Sequence, residues 1–139
     1  MQTQAVTHDT CIRVRYADTD QMQIVYNGKY FEYFEVGRTE LMRSRGFPYA
    51  AFERSGTRLP LVEAHCRFHH PARYDDLLLL RSTVTELPRA TLRIDYEIHH
   101  KDDGLLIATG YTTHAFLDTA TLRPVRPPRL FLDALWPHR

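Results

Sequence analysis

Lysine is nearly missing from this sequence: among 18 basic residues only Lys29 and Lys101 are lysines, and the rest are arginines. Against 17 acidic residues they leave a formal net charge of +1, so neither sign dominates and broad adhesion to nucleic acid is not expected. The two cysteines, Cys11 and Cys66, are too few and too far apart for a disulfide framework or a zinc knuckle. Each sits in an alternating apolar stretch, which predicts two buried thiols. No segment approaches the roughly 18 consecutive apolar residues that a membrane span needs. The opening "MQTQAVTHDT" has neither a basic start nor an apolar core, so a secretory signal is not expected and a cytoplasmic protein is. Repeats at a period of about 20 to 50 residues, low-complexity tracts and long linkers are absent as well. Of the 8 histidines, His69-His70 and His99-His100 stand out, but neighbours on a strand point to opposite faces and cannot grip one ion together, so no metal site is expected. A Gly-x-Ser-x-Gly elbow and a Gly-rich phosphate loop are also missing, which leaves serine-hydrolase and nucleotide-hydrolase chemistry without their parts.

What is present is ordinary in composition and specific in pattern. The 139 residues, 43% hydrophobic and 25% charged, suit one domain over residues 1–139 with a small core. A core of that size leaves apolar surface for a partner subunit to cover. "CIRVRYA" alternates, with Ile12, Val14 and Tyr16 on one side of a half-buried strand that ends at Asp18. From Gly28 to Arg45 the period lengthens, and Tyr30, Tyr33, Phe34, Gly37, Leu41 and Ser44 share one stripe of a helix roughly 27 Å long. Asn27 is a favoured N-cap, Gly46 and Pro48 form the stop, and Gly37 inside the helix predicts the close approach of a sheet. After a loop, "LPLVEAHCRFHH", "LLLLRSTVTEL", "ATLRIDYEIHH" and "LLIATGYTTHAFLD" read as four strands in succession, the last two joined by the turn "KDDG". Succession favours an antiparallel meander. Pro127-Pro128 suits the start of a short last helix carrying Leu130, Leu132, Leu135 and Trp136. The fold class is therefore α+β: a curved antiparallel sheet of about five strands wrapped round one long central helix, with a short C-terminal helix.

"YADTDQMQIVYNGKYFEYFEVGRTELMR" resembles the signature of the hotdog-fold acyl-CoA thioesterases of the 4-hydroxybenzoyl-CoA thioesterase type: Asp-x-Asp, an Ile-Val-aromatic triplet, Asn-x-x-Tyr, then the helix. The strand order, the "PARYDD" lead-in and the length extend that likeness over nearly the whole chain. It implies a homodimer, often paired again into a homotetramer, with active sites at the dimer interface. It also implies an acyl-CoA substrate, with coenzyme A part of that substrate and no bound cofactor.

Thioester hydrolysis needs an activated oxygen and a donor for the charge growing on the carbonyl oxygen. Asp20 lies on the loop before the helix, where its carboxylate can turn toward the free N–H groups of the first turn. By resemblance Asp20 is the catalytic carboxylate, as nucleophile or general base. The backbone N–H at Asn27 polarises the carbonyl, and Tyr16 matches a pocket tyrosine. Tyr30 is core or lines the acyl pocket, while Asp18, and in a plainer reading Asp20, cap a turn. Gln23 replaces a glycine and Asn27 a histidine or tyrosine common among relatives, so the acyl pocket of this chain has its own shape. The coenzyme A phosphates are expected at Arg89 and then Arg126, by resemblance to where the family binds them. Two other functions stay open: a non-catalytic acyl-CoA binding or interaction module, and an acyl-thioester dehydratase or hydratase of the same fold.

Overall fold

The computed structural model describes residues 5–139; residues 1–4, the start of the segment read for a secretory signal, lie outside the described residues. In chain order the elements are β1 (Val6–Arg13), a 3-10 turn (Tyr16–Asp18), α1 (Lys29–Ser44), α2 (Tyr49–Ser55), β2 (Thr57–Arg58), β3 (Leu61–Phe68), β4 (Leu77–Val84), β5 (Thr91–His100), β6 (Leu106–Ala115), β7 (Leu117–Asp118) and α3 (Arg129–Leu135). Five strands make one antiparallel sheet in the order β1-β4-β5-β6-β3, and β2 pairs with β7 in a small second sheet. The α+β arrangement expected from the pattern is present. Among the described residues no helix is long and apolar enough to cross a membrane.

α1 lies across this sheet on the stripe read from its period: Tyr30, Tyr33, Phe34, Gly37 and Leu41 are buried, joined by Met42. Ser44, placed on the same stripe, is exposed. Gly37 has the expected reason, since a methyl group there would lie 2.5 Å from Ser82 Oγ and 2.6 Å from a Leu80 methyl. At Gly110 on β6 an added Cβ would meet the backbone oxygen of His65 and the ring of Phe34. That open spot lets Phe34 lie flat on Tyr96, ring centroids 4.3 Å apart and nearly parallel. Leu92, Ile94, Tyr96 and Ile98 of β5 face inward as their alternation requires.

Several expectations are corrected. The strands are not a full meander: β4, β5 and β6 follow one another, but β3 crosses to the far edge and pairs with β6. β3 is therefore a free edge, and its alternation does not produce one buried face, because only Cys66 along it is even half-buried. Cys11, expected inside, is exposed at the opposite edge on β1. β1 stops at Arg13, and the backbone turns at Tyr16–Asp18 so that Tyr16 points outward. The loop after α1 contains α2, a seven-residue helix started by Pro48 and ended by Gly56 in the left-handed region. In the last helix the buried anchors are Phe131 and Leu135, with Trp136 buried just past its end, while Leu130 is exposed.

Candidate active site at the start of the long helix

The segment between the 3-10 turn and α1 folds back on itself as a tight hairpin. Thr19 bridges Val25, the Asp20 N–H donates to the Ile24 carbonyl at 3.0 Å, and the Tyr26 N–H donates to the Asp18 carbonyl at 2.9 Å. The lead-in to β4 braces it, with Ile24 bridged to Arg73 and the Val25 N–H donating to the Ala72 carbonyl. Asp20 thus sits on one arm of a short hairpin, and Asn27 follows directly after the end of the other.

The two aspartates of the motif part company. Asp18 is buried, 2% exposed, and its carboxylate accepts from the Arg15 N–H, the Tyr33 hydroxyl and the Arg15 guanidinium, with Lys29 Nζ at 3.4 Å. Burial alone would raise its pKa, but these donors outweigh it and hold the carboxyl below the ordinary aspartate value. The same burial and the adjacent carboxylate push the Tyr33 phenol upward. Asp18 is thereby a structural ion that ties the 3-10 turn to the first turns of α1. Asp20 is only half-buried, makes no ion pair among the described residues, and accepts one bond, from the Met22 N–H at 2.8 Å. Its second oxygen has no hydrogen-bond partner among the described residues.

Asn27 is not the helix cap. α1 begins at Lys29 with Gly28 as N-cap and no capping side chain. The carbonyls of Asn27 and Gly28 accept the first helical bonds from Tyr30 and Phe31, while among the described residues no acceptor is bonded to the N–H groups of Asn27 and Gly28. These are adjacent open donors at the positive end of a 16-residue helix, a place where negative charge is stabilised. Gln23 holds φ +67°, the left-handed region. A residue with a side chain is strained in that conformation, which suits the glycine that the family resemblance leads one to expect there.

The other residues singled out from the sequence spread further. Tyr16 is 78% exposed and packs edge-on against Tyr74, so it is not on an inner face. Tyr30 is buried between Tyr33 and Phe68, and burial raises its phenol to about 12. It is part of the core of one chain. Arg89 is exposed in the turn between β4 and β5, beside a polar cavity that Arg93 and Thr113 also line. Arg126 is exposed in the loop before α3. Within one chain none of these arginines is brought to Asp20, and neither of the two cavities described here is lined by Asp20 or Asn27.

Sequence reasoning missed a buried polar group under the second half of α1. His114 Nδ1 lies 3.3 Å from the Leu59 carbonyl and Nε2 lies 2.9 Å from the Thr112 hydroxyl, which is 2.7 Å from the Tyr96 hydroxyl. Arg38 lies beside them. Burial first, and then the Arg38 charge, lower the His114 pKa to about 4, so the ring is neutral at physiological pH. The one available signal was parity, since Thr112, His114 and Phe116 alternate inward on the β6 side.

A family profile of the thioesterase-like superfamily matches residues 14–135. The chain is 28% identical over 95 residues to the acyl-CoA thioester hydrolase YbgC of Escherichia coli O157:H7, covering 68% of this chain and 71% of that one. A crystal structure of a hypothetical protein from Thermus thermophilus is 34% identical with a TM-score of 0.84, covering 91% of this chain and 95% of the other. The crystal structure of a DHNA-CoA thioesterase from Staphylococcus aureus is 30% identical with a TM-score of 0.82, covering 94% and 84%.

Proposed function

The chain belongs to the thioesterase-like superfamily, and on that premise we propose that it hydrolyses the thioester of a small acyl-CoA, short to medium or aromatic in its acyl part, to the free acid and coenzyme A. The observation that carries the reading is the hairpin at the start of α1, which holds the unpaired carboxylate of Asp20 on one arm and leads, on the other, into the open N–H groups of Asn27 and Gly28. The thioester carbonyl oxygen accepts from the Asn27 N–H, so the charge that grows there meets a fixed donor and the helix dipole. Asp20 either attacks the carbonyl carbon, expelling coenzyme A thiolate and leaving an anhydride for water to open, or takes a proton from the water that attacks. Coenzyme A enters as substrate, no bound cofactor takes part, and the reaction belongs to the cytoplasm.

The reading includes a homodimer built along β3. Leu61, Val62 and Phe68 on this edge are 52%, 63% and 48% exposed, and among the described residues no strand pairs with the outer backbone groups of β3. A second copy related by a two-fold axis pairs with it antiparallel, which joins the two sheets. Tyr30 packs on Phe68, so the start of α1 lies at the Phe68 end of β3, and pairing carries it to the Leu61 end of the partner. Arg89 stands near that end too, because Thr91 pairs with Ala115 and His114 with Leu61. In the dimer, Arg89 of one copy and Asp20 of the other therefore approach one another, with Arg89 taking a coenzyme A phosphate and Arg126 a second. Pairing of such dimers makes the homotetramer.

The test is release of free thiol from a panel of acyl- and aryl-CoA thioesters by the natural protein and by Asp20→Asn. Loss of about 10² to 10⁴ in rate with an unchanged melting curve is expected, the range for a positioned acid or base. Equal rates overturn the assignment of Asp20.

A further inference from the structure

A cavity of about 630 Å³ opens between the second half of α1, α2 and the segment that enters β3. Met42, Phe52 and Leu59 make part of its wall apolar, and its inner end is polar, formed by Arg38 and His114. Behind that end the hydrogen-bond chain has a single consistent direction. The Leu59 carbonyl can only accept, so His114 Nδ1 carries the proton and Nε2 accepts from the Thr112 hydroxyl. Thr112 in turn accepts from the Tyr96 hydroxyl. Tyr96, Thr112 and His114 are each 1% exposed. All three are neutral and already partnered, so none supplies a negative charge.

Arg38, whose guanidinium stands beside the Tyr96 hydroxyl, is the charged member of the group. It is half-buried and makes no ion pair among the described residues. Its charge acts on both buried neighbours, opposing protonation of His114 and favouring ionisation of Tyr96 against the burial that resists it. The inner end of the cavity is thus electropositive. Glu35, Glu53 and Arg58 line the cavity as well, but all three side chains are exposed, where water and salt screen them, and neither glutamate pairs with Arg38. A planar guanidinium held against neutral groups in an apolar-walled cavity lacks a counter-charge that a bidentate carboxylate would supply.

The position of the cavity joins it to the reaction. Leu59 and Pro60 border it and lead directly into Leu61, the end of β3 to which antiparallel pairing brings the partner's helix start. In the dimer proposed above, this puts the Arg38 cavity of one copy beside the Asp20 loop of the other.

We propose that this cavity seats the acyl group and that Arg38 binds a carboxylate at its far end, so that the preferred substrates are coenzyme A thioesters of ω-carboxylated acyl chains. This rests on the thioesterase reading and names its substrate class. The experiment compares glutaryl-CoA with pentanoyl-CoA, equal in chain length, and includes 4-hydroxybenzoyl-CoA, using the natural protein, Arg38→Met and Arg38→Lys. The natural protein should favour glutaryl-CoA at least tenfold in kcat/KM. Arg38→Met should abolish or reverse that ratio, and Arg38→Lys should restore part of it. A preference for pentanoyl-CoA or 4-hydroxybenzoyl-CoA in the natural protein overturns the proposal while leaving a thioesterase. So does an Arg38→Met that weakens all three substrates equally, which would place a coenzyme A phosphate on Arg38. If no thioester is cleaved, the thioesterase reading falls and thermal melting decides the cavity by itself. Pentanoate, but not pentanol, raising the melting temperature of the natural protein and not of Arg38→Met upholds carboxylate binding, and no such difference overturns it.

Discussion

Removing the imidazole of His114 should change how stability depends on pH in a defined window. The folded ring has a pKa of about 4 because it is buried and stands beside Arg38, whereas an unfolded chain offers the ordinary value of about 6.5. Between these values the unfolded state binds a proton that the folded state refuses, so stability rises with pH. His114 thus withholds nothing above pH 6.5 and penalises the fold progressively as pH falls from 6.5 to 4. A gap of about 2.5 pKa units at 1.36 kcal/mol each amounts to about 3 kcal/mol, or on the order of 10 °C in melting temperature for a chain of this length. His114→Gln has no titrating group. It should lose some stability at pH 7.5 through poorer bonding to Thr112 and Leu59, and then lose about 3 kcal/mol less than the natural protein between pH 6.5 and 4. Urea unfolding of both proteins at half-unit pH steps measures the difference, in which all shared titrations cancel. Parallel curves across the window would show that the ring protonates freely and that the neutral relay beside Arg38 is wrong.

Other expectations concern the helix start and the sheet. Asp18→Asn keeps the shape but removes the charge that Arg15, Tyr33 and Lys29 bond; unfolding at pH 7 should show a loss of about 3 kcal/mol. Because the Asp18 pKa is lowered in the fold, that loss should hold above the ordinary aspartate pKa and vanish as pH falls through the lowered value. Gln23→Gly should relieve the left-handed backbone at φ +67° and shift the acyl preference in a chain-length panel, with at most about 1 kcal/mol change in stability. Gly110→Ala pushes a methyl group into the His65 carbonyl and the Phe34 ring and should cost about 3 kcal/mol by urea unfolding. Arg89→Ala should raise KM for coenzyme A thioesters more than for thioesters lacking the nucleotide, and equal effects on both would remove Arg89 from the phosphate site.

Local chemistry was legible wherever neighbours in sequence are neighbours in space. The buried stripe of α1, the inward set on β5, Gly37 under the sheet and the Gly46 stop follow from periodicity and sterics alone. The Asp20 loop was legible for the same reason, since its hairpin closes within a few residues of chain. The misreadings have separate causes. β3 alternates like a half-buried strand yet is an edge, and being an edge depends on which strands pair across the sheet, whereas β1 does alternate and Cys11 falls on its outer side with Arg13, opposite Ile12. Asn27 is a good cap by residue type, but the turn placed Gly28 at the cap and left the Asn27 amide open. α2 carries a single buried residue, Phe52, too little for a period to show.

From its residue types and their spacing alone, this chain determined a long amphipathic helix, the inner face of β5 and a loop carrying an acid ahead of a helix start. Tertiary structure decided which acid is a buried ion and which is free, because Tyr33 and Lys29 reach Asp18 and leave Asp20 alone. It also decided that Arg38 of α1, Tyr96 of β5 and His114 of β6 meet beneath one helix, since antiparallel pairing, not spacing along the chain, sets those distances.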